Sequence, residues 1–261
     1  KLIAKGIVNN FVIENQNIEN IKYNLDELPL EDLSKNKIFN DYLSSSIIKV
    51  QLQSLIVYNT TAEKILTSIR NLFLREIISN VKKFSSQDNL NSFLYSLCIQ
   101  LFKNEYSWFE TKKENEEIKK LSEIIFSKIK SNKKIYDCEI QILGCYMSLN
   151  EYKFRSDLKN KNFNSRTKDI IKKQILDLDF EKETSKEIKK INNIEDPTSN
   201  RVLKQYEKNP YPRWDIEGEI NEGYNYINII KNGIFPNKLP SKYLKKTNRI
   251  KTLLIAGCGT G

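Results

Sequence analysis

Histidine is absent from all 261 residues, and that one absence excludes whole mechanisms. Ser-His-Asp and Cys-His nucleophile pairs, an imidazole general base and a His-bearing zinc site all need a residue this chain does not have. Methionine occurs once (Met147), and glycine and proline are scarce at eight and six residues, against usual shares of roughly 7% and roughly 5%. Five of the six prolines (Pro197, Pro210, Pro212, Pro236 and Pro240) fall in the last quarter, and Gly257, Gly259 and Gly261 alternate at the very end. The four cysteines (Cys98, Cys138, Cys145, Cys258) form no C-x-x-C pair. A reducing, cytoplasmic setting is therefore expected, with Cys98 and Cys138 as buried thiols on apolar helical faces. No apolar run approaches the roughly 18 residues of a membrane span. The best stretch, Ser46 to Tyr58, is broken by Lys49 and Gln51. No signal peptide, no metal site and no membrane association are expected.

What is abundant is Lys, Asn and Ile. Lys and Arg total 43 against 33 Asp and Glu, a net charge of +10, but only seven of the basic residues are Arg. Nucleic-acid readers lean on Arg forks and stacking, so a Lys excess interleaved with Glu reads as a solvated surface and disfavours a nucleic-acid partner. From Leu30 to Asp196 the chain has no proline and one glycine, Gly144. With apolar residues at three- and four-residue intervals, that stretch predicts a set of helices.

The spacing predicts a helix capped by Thr60 or Thr61 that buries Ile65, Ile69, Leu72, Phe73 and Ile77. A second opens at Asp88 and buries Leu90 through Phe102, and a third runs from Glu114 to Ile129 through Ile118, Leu121 and Ile125. Further helices are expected at Lys134 to Leu149, Ser165 to Leu178 and Phe180 to Ile191, with no fixed-period repeat. Residues 1–29 form a weakly patterned segment with a possible strand at Gly6 to Ile13, and residues 30–192 form the helical domain. Residues 193–249 are a connector that opens with an Asp196-Pro197 helix start, a short helix through Val202, Leu203 and Tyr206, and a helix near Tyr224 to Ile230. The whole reads as mainly α, a multi-helical domain followed by the first strand and glycine loop of a truncated Rossmann-like α/β domain beginning at residue 250.

The end of the chain carries the strongest chemical signal. Ile250-Lys251-Thr252-Leu253-Leu254-Ile255-Ala256 has the short continuous apolar run of a buried parallel strand. It leads directly into Gly257-Cys258-Gly259-Thr260-Gly261. A turn without Cβ atoms lets backbone amides approach a nucleotide-like ligand closely. The alternative is a helix C-cap or flexible tail, against which the preceding strand argues. Upstream stands Gln205-Tyr206-Glu207-Lys208-Asn209-Pro210-Tyr211-Pro212-Arg213-Trp214. Its prolines stiffen an extended segment that could hold Tyr206, Tyr211 and Trp214 as an aromatic wall, with Arg213 available for a carboxylate. A hydrophobic lid with Arg213 in a structural ion pair is the competing reading of the same block.

The glycine spacing resembles motif I of class I S-adenosylmethionine-dependent methyltransferases. Together with the proline-aromatic block it is similar to a bacterial subgroup carrying a helical, often tetratricopeptide-repeat-associated, N-terminal region. Cys98 with Asn104-Glu105-Tyr106, Cys145-Tyr146, Lys173-Gln174-Ile175 and Asp196-Pro197 also look like that subgroup's pre-catalytic region. The resemblance covers roughly Leu90 to Gly261. It implies methyl transfer from S-adenosyl-L-methionine, with Gly257, Cys258, Gly259, Thr260, Gly261, Tyr206, Tyr211, Arg213 and Trp214 as cofactor-binding residues. The acceptor, protein or small molecule, stays open, and so do the catalytic residues, which the resemblance places after Gly261. On this reading the sequence is a fragment ending at motif I, and it alone does not turn over cofactor.

Other readings are weaker. Asn209-Pro210-Tyr211-Pro212 has the composition but not the order of the D/N-P-P-Y/F tetrapeptide of DNA amino-methyltransferases. Cys258 reads as a small residue that fits a tight turn, and Glu105-Tyr106 beside Trp108 as a helix-end packing cluster. A non-catalytic helical protein-interaction module and a basic nucleic-acid-binding helical domain are the functional alternatives.

Overall fold

The computed structural model describes residues 30–33, 35–187 and 196–208, apart from the side chains of residues 31 and 206–208. The chain divides into two units, Lys1–Pro212 and Arg213–Gly261, and every described residue belongs to the first. The expected strands at Gly6 to Ile13 and Ile250 to Ala256, the helix near Tyr224 to Ile230 and the glycine loop lie outside the described residues. Among the described residues the structure is helical, with no strand.

The elements that build the core are α1 (Leu30–Leu33), α2 (Lys37–Ser44), α3 (Ser46–Ser54), α4 (Thr60–Ser85), α5 (Asp88–Lys103), α6 (Lys112–Lys130) and α7 (Asp137–Leu143). A 3-10 turn (Leu149–Glu151), α8 (Arg155–Leu158), α9 (Ser165–Ile171), a π-helical turn (Lys172–Leu176), α10 (Asp177–Thr184) and α11 (Pro197–Lys208) follow. At the centre is α5, against which α2, α3, α4, α7 and α9 all pack. Twelve of its sixteen residues are buried, as befits a helix that is apolar on most of its circumference. Phe73 of α4 packs edge-on against both Phe84 and Phe93, with ring centroids 5.2 and 6.2 Å apart. The expected inner face of α4 (Ile65, Ile69, Leu72, Phe73, Ile77) is buried throughout. Each such side chain contributes about 1.5–3 kcal/mol over exposure.

Helix starts follow side-chain chemistry more closely than apolar spacing does. Asn59, not Thr60 or Thr61, caps α4, its Oδ1 accepting the Ala62 amide at 2.9 Å. α5 opens at Asp88, as its sequence indicates; its cap is Gln87, without a side-chain bond, and Asp88 also pairs with Arg166 of α9 at 2.6 Å. Thr111 opens α6 three residues before the expected Glu114, because the two residues form a reciprocal capping box. Asn80 interrupts α4 with non-helical angles (φ −152°, ψ 79°), and its side chain recaps the last turns by accepting the Lys83 amide.

Two expected helices are shorter than their apolar patterns. Lys134 to Leu149 is helical only over Asp137–Leu143. Gln174 ends it by capturing backbone groups: its Nε2 donates to the Gly144 carbonyl at 3.0 Å and its Oε1 accepts the Leu149 amide at 3.0 Å. Gly144 permits this approach, since a Cβ there would lie 2.9 Å from Cys98 Sγ. The Ser165 to Leu178 pattern is divided by the π-helical turn at Lys172–Leu176. Beyond it, α10 ends at Thr184 and buries no residue, with Phe180 71% exposed.

Candidate functional site

Arg70 projects from the buried face of α4 and its side chain has no solvent exposure. Its Nη2 donates to the Phe109 carbonyl at 2.7 Å and to Glu114 Oε1 at 3.2 Å, and its Nη1 lies 3.9 Å from Glu110 Oε1. The guanidinium carbon sits 4.2 Å from the centre of the Tyr146 ring. The Tyr146 hydroxyl donates to the same Glu114 oxygen at 2.7 Å. The other oxygen, Oε2, accepts both the amide and the hydroxyl of Thr111 at 2.9 Å. Glu114 is thus a fully engaged structural carboxylate that joins α4, α6 and the segment after α7.

The turn between α5 and α6 sets this geometry. Glu105 and Tyr106 both take left-handed angles (φ 50° and 56°), a conformation that costs non-glycine residues about 1–3 kcal/mol each. The Tyr106 amide bonds back to the Leu101 carbonyl at 3.0 Å, and the reversal delivers the Phe109 carbonyl to Arg70. The Tyr106 hydroxyl is buried without a hydrogen-bond partner, and burial pushes its pKa well up. Tyr106 packs against the core, its ring edge-on to Phe102, and Trp108 is buried.

On the solvent side of this ion cluster runs a groove of about 550 Å³ between α6 and the Tyr146–Phe154 segment. Ile118, Phe126, Tyr146, Met147, Tyr152 and Phe154 line its walls. The Tyr152, Phe154 and Phe126 rings are stacked in sequence, centroids 5.4 and 6.5 Å apart and each pair inclined by 24°. Glu110 also borders the groove, and burial raises its carboxyl pKa while Arg70 pulls it back down.

A second buried cluster gathers residues far apart in sequence. Gln174 of the π-helical turn reaches Cys98 Sγ at 3.5 Å as well as Gly144, and the neighbouring Cys145 thiol adds to the upward push on the Cys98 pKa. Burial drives the Cys98 thiol well above its ordinary pKa and the Cys138 thiol to about 12. Neither is a thiolate nucleophile. The Cys98, Cys145 and Gln174 segments that carried the family resemblance therefore meet in the core around Gly144.

Of the expected cofactor residues, Tyr211, Arg213, Trp214, Gly257, Cys258, Gly259, Thr260 and Gly261 lie outside the described residues. Tyr206 lies within α11, but its side chain is not described. Arg70 was missed by the apolar spacing, although an arginine in register with Leu66, Phe73 and Ile77 on one helix face was the available signal. Among the described residues, no cluster of three or more His, Cys, Asp or Glu side chains could hold a metal ion, and no helix is long and apolar enough to cross a membrane. Comparison with family models, with curated proteins and with solved structures finds no match to this chain.

Proposed function

We propose that the chain is the N-terminal portion of an S-adenosylmethionine-dependent methyltransferase acting on a protein or small-molecule acceptor. The observation that carries the reading is the apolar run Ile250 to Ala256 ending in Gly257-Cys258-Gly259-Thr260-Gly261, some forty residues after the Asn209-to-Trp214 block. In this reading the Gly257–Gly261 amides, including those of Cys258 and Thr260, hold the cofactor's amino-acid portion. Tyr206, Tyr211 and Trp214 face its cationic end, and Arg213 takes its carboxylate. The cofactor supplies an electrophilic methyl group. The protein's part is to align an acceptor in line with it and exclude water, work that needs no histidine. A reducing, cytoplasmic setting belongs to the same proposal and is supported by three buried free thiols.

The test is calorimetric titration of S-adenosylmethionine into the longer protein of which, on this proposal, the chain is the N-terminal portion. Binding that is weakened by Arg213→Ala and Tyr206→Phe supports direct contact, and unchanged affinity in both assigns the block to a structural lid. A second reading, a non-catalytic helical module that docks a protein, is favoured by Val50, Leu55 and Tyr58, which are 55%, 47% and 75% exposed in one short stretch. Absence of cofactor binding by that longer protein would select it.

A further inference from the structure

We propose that the groove between α6 and the Tyr146–Phe154 segment binds an organic cation. The ligand is an ammonium or guanidinium on an apolar body, with its charge set against Glu110 and its body against Phe126, Tyr152 and Phe154. This goes beyond the cofactor reading and stands independently of it.

Three observations converge. The first is charge. The lining carries Glu123 and Glu151 with Lys119 and Lys153, and Lys130 lies over Phe126, while the buried charge of Arg70 faces two carboxylates. Glu114 takes the hydrogen bond at 3.2 Å, and Glu110 is left at 3.9 Å. Glu110 is thus held only by a long ion pair and an Asn115 side-chain bond, at a carboxylate 20% exposed that borders the groove.

The second is the aromatic lining, whose faces already hold cations from this chain. Arg70 lies over Tyr146 and Lys130 Nζ over Phe126, each 4.2 Å from the ring centre. Ring faces carry the negative end of the quadrupole, so the walls favour a cationic head over an anionic one.

The third is size. A volume of about 550 Å³ matches small-molecule sites of roughly 300–1,000 Å³ and far exceeds a bare ion. The same chemistry occurs in a free amine and in the Lys or Arg side chain of a peptide.

The experiment titrates the 261-residue chain with phenethylamine, with phenylpropionate as the same body of opposite charge, and with agmatine and N-acetylarginine methylamide. Phenethylamine is expected to bind at least about tenfold more tightly than phenylpropionate. Tighter binding of the arginine derivative than of agmatine assigns the cation to a peptide side chain, and the reverse order to a free amine; either supports the site. Glu110→Gln is expected to weaken phenethylamine about tenfold and to abolish the proton released where Glu110 is protonated before binding. Ser122→Trp, which fills the groove from its rim, is expected to abolish binding with the circular dichroism unchanged, and it carries the test should the Glu110 variant unfold. Equal affinity for amine and carboxylate, no binding at about 10 mM, wild-type affinity in a folded Glu110→Gln chain, or wild-type affinity in Ser122→Trp would overturn the proposal.

Discussion

Replacing Arg70 by Met should be among the most damaging single changes in the helical unit, and its cost can be worked from the contacts. Methionine fills most of the same volume but removes the bond to the Phe109 carbonyl, the pair with Glu114 and the cation over Tyr146. Glu114, 2% exposed, then keeps its bonds from Tyr146 and Thr111 but loses its counter-charge. Removing one partner of a buried ion pair costs about 3–5 kcal/mol, chiefly because the other charge is left uncompensated. For a chain of this size that is a fall in Tm of roughly 6–20 °C. Arg70→Met with Glu114→Gln removes both charges, so the double variant should lose less than the sum of the singles by about 2 kcal/mol. Urea denaturation followed by far-ultraviolet circular dichroism reads all four stabilities. A loss below about 1 kcal/mol in Arg70→Met, or additive losses, would refute the reasoning that Arg70 neutralises Glu114 in a sealed site.

Other outcomes follow from the same structure. Gly144→Ala places a Cβ 2.9 Å from Cys98 Sγ and 3.1 Å from Gln174 Oε1, and should cost about 1–3 kcal/mol. Adding Cys98→Ala should recover part of it, as a differential Tm measurement would show. Thr111→Ala dissolves the capping box of α6 and should cost about 1 kcal/mol by urea denaturation. In a Cys258→Ser chain, the three buried thiols should react with Ellman's reagent only after unfolding; the Cys138 pKa near 12 keeps its thiolate scarce at pH 8. The carboxylates should show opposite acid responses. Arg166 and Lys159 hold Asp88 and Asp179 below their ordinary pKa, so their small contributions are present above the unfolded value and lost as pH falls through the folded one. Glu110 is raised by burial, so its contribution is present at low pH and lost as pH rises through its folded value. Glu110→Gln should flatten that part of the stability profile.

Legibility in the sequence tracked whether burial or polar chemistry decided the outcome. The buried faces of α4, α5 and α6 follow from three- and four-residue apolar spacing, because burial of Ile69, Phe93 or Leu121 is what stabilises those helices. Breaks in the helices were harder to see. Asn80, Gln174 and the π-helical turn act through side-chain hydrogen bonds to backbone groups, some more than twenty residues away, and no local pattern encodes such a partner. Arg70 was hidden for a related reason: a lone arginine on an apolar stripe is ambiguous until Glu114, Tyr146 and the Phe109 carbonyl are brought to it from three other segments. The glycine-rich end and most of the proline-aromatic block stand out in the sequence, but they fall outside the described residues, apart from Gln205 to Lys208 within α11.

Equilibrium binding of S-adenosylmethionine to the longer protein that the methyltransferase proposal implies tests the proposed role of Gly257 to Gly261. Saturable binding is expected, with a dissociation constant on the order of micromolar, lost in Gly259→Val while the helical unit keeps its circular dichroism. Undetectable binding by the folded longer protein, or equal binding by wild type and Gly259→Val, would contradict that role.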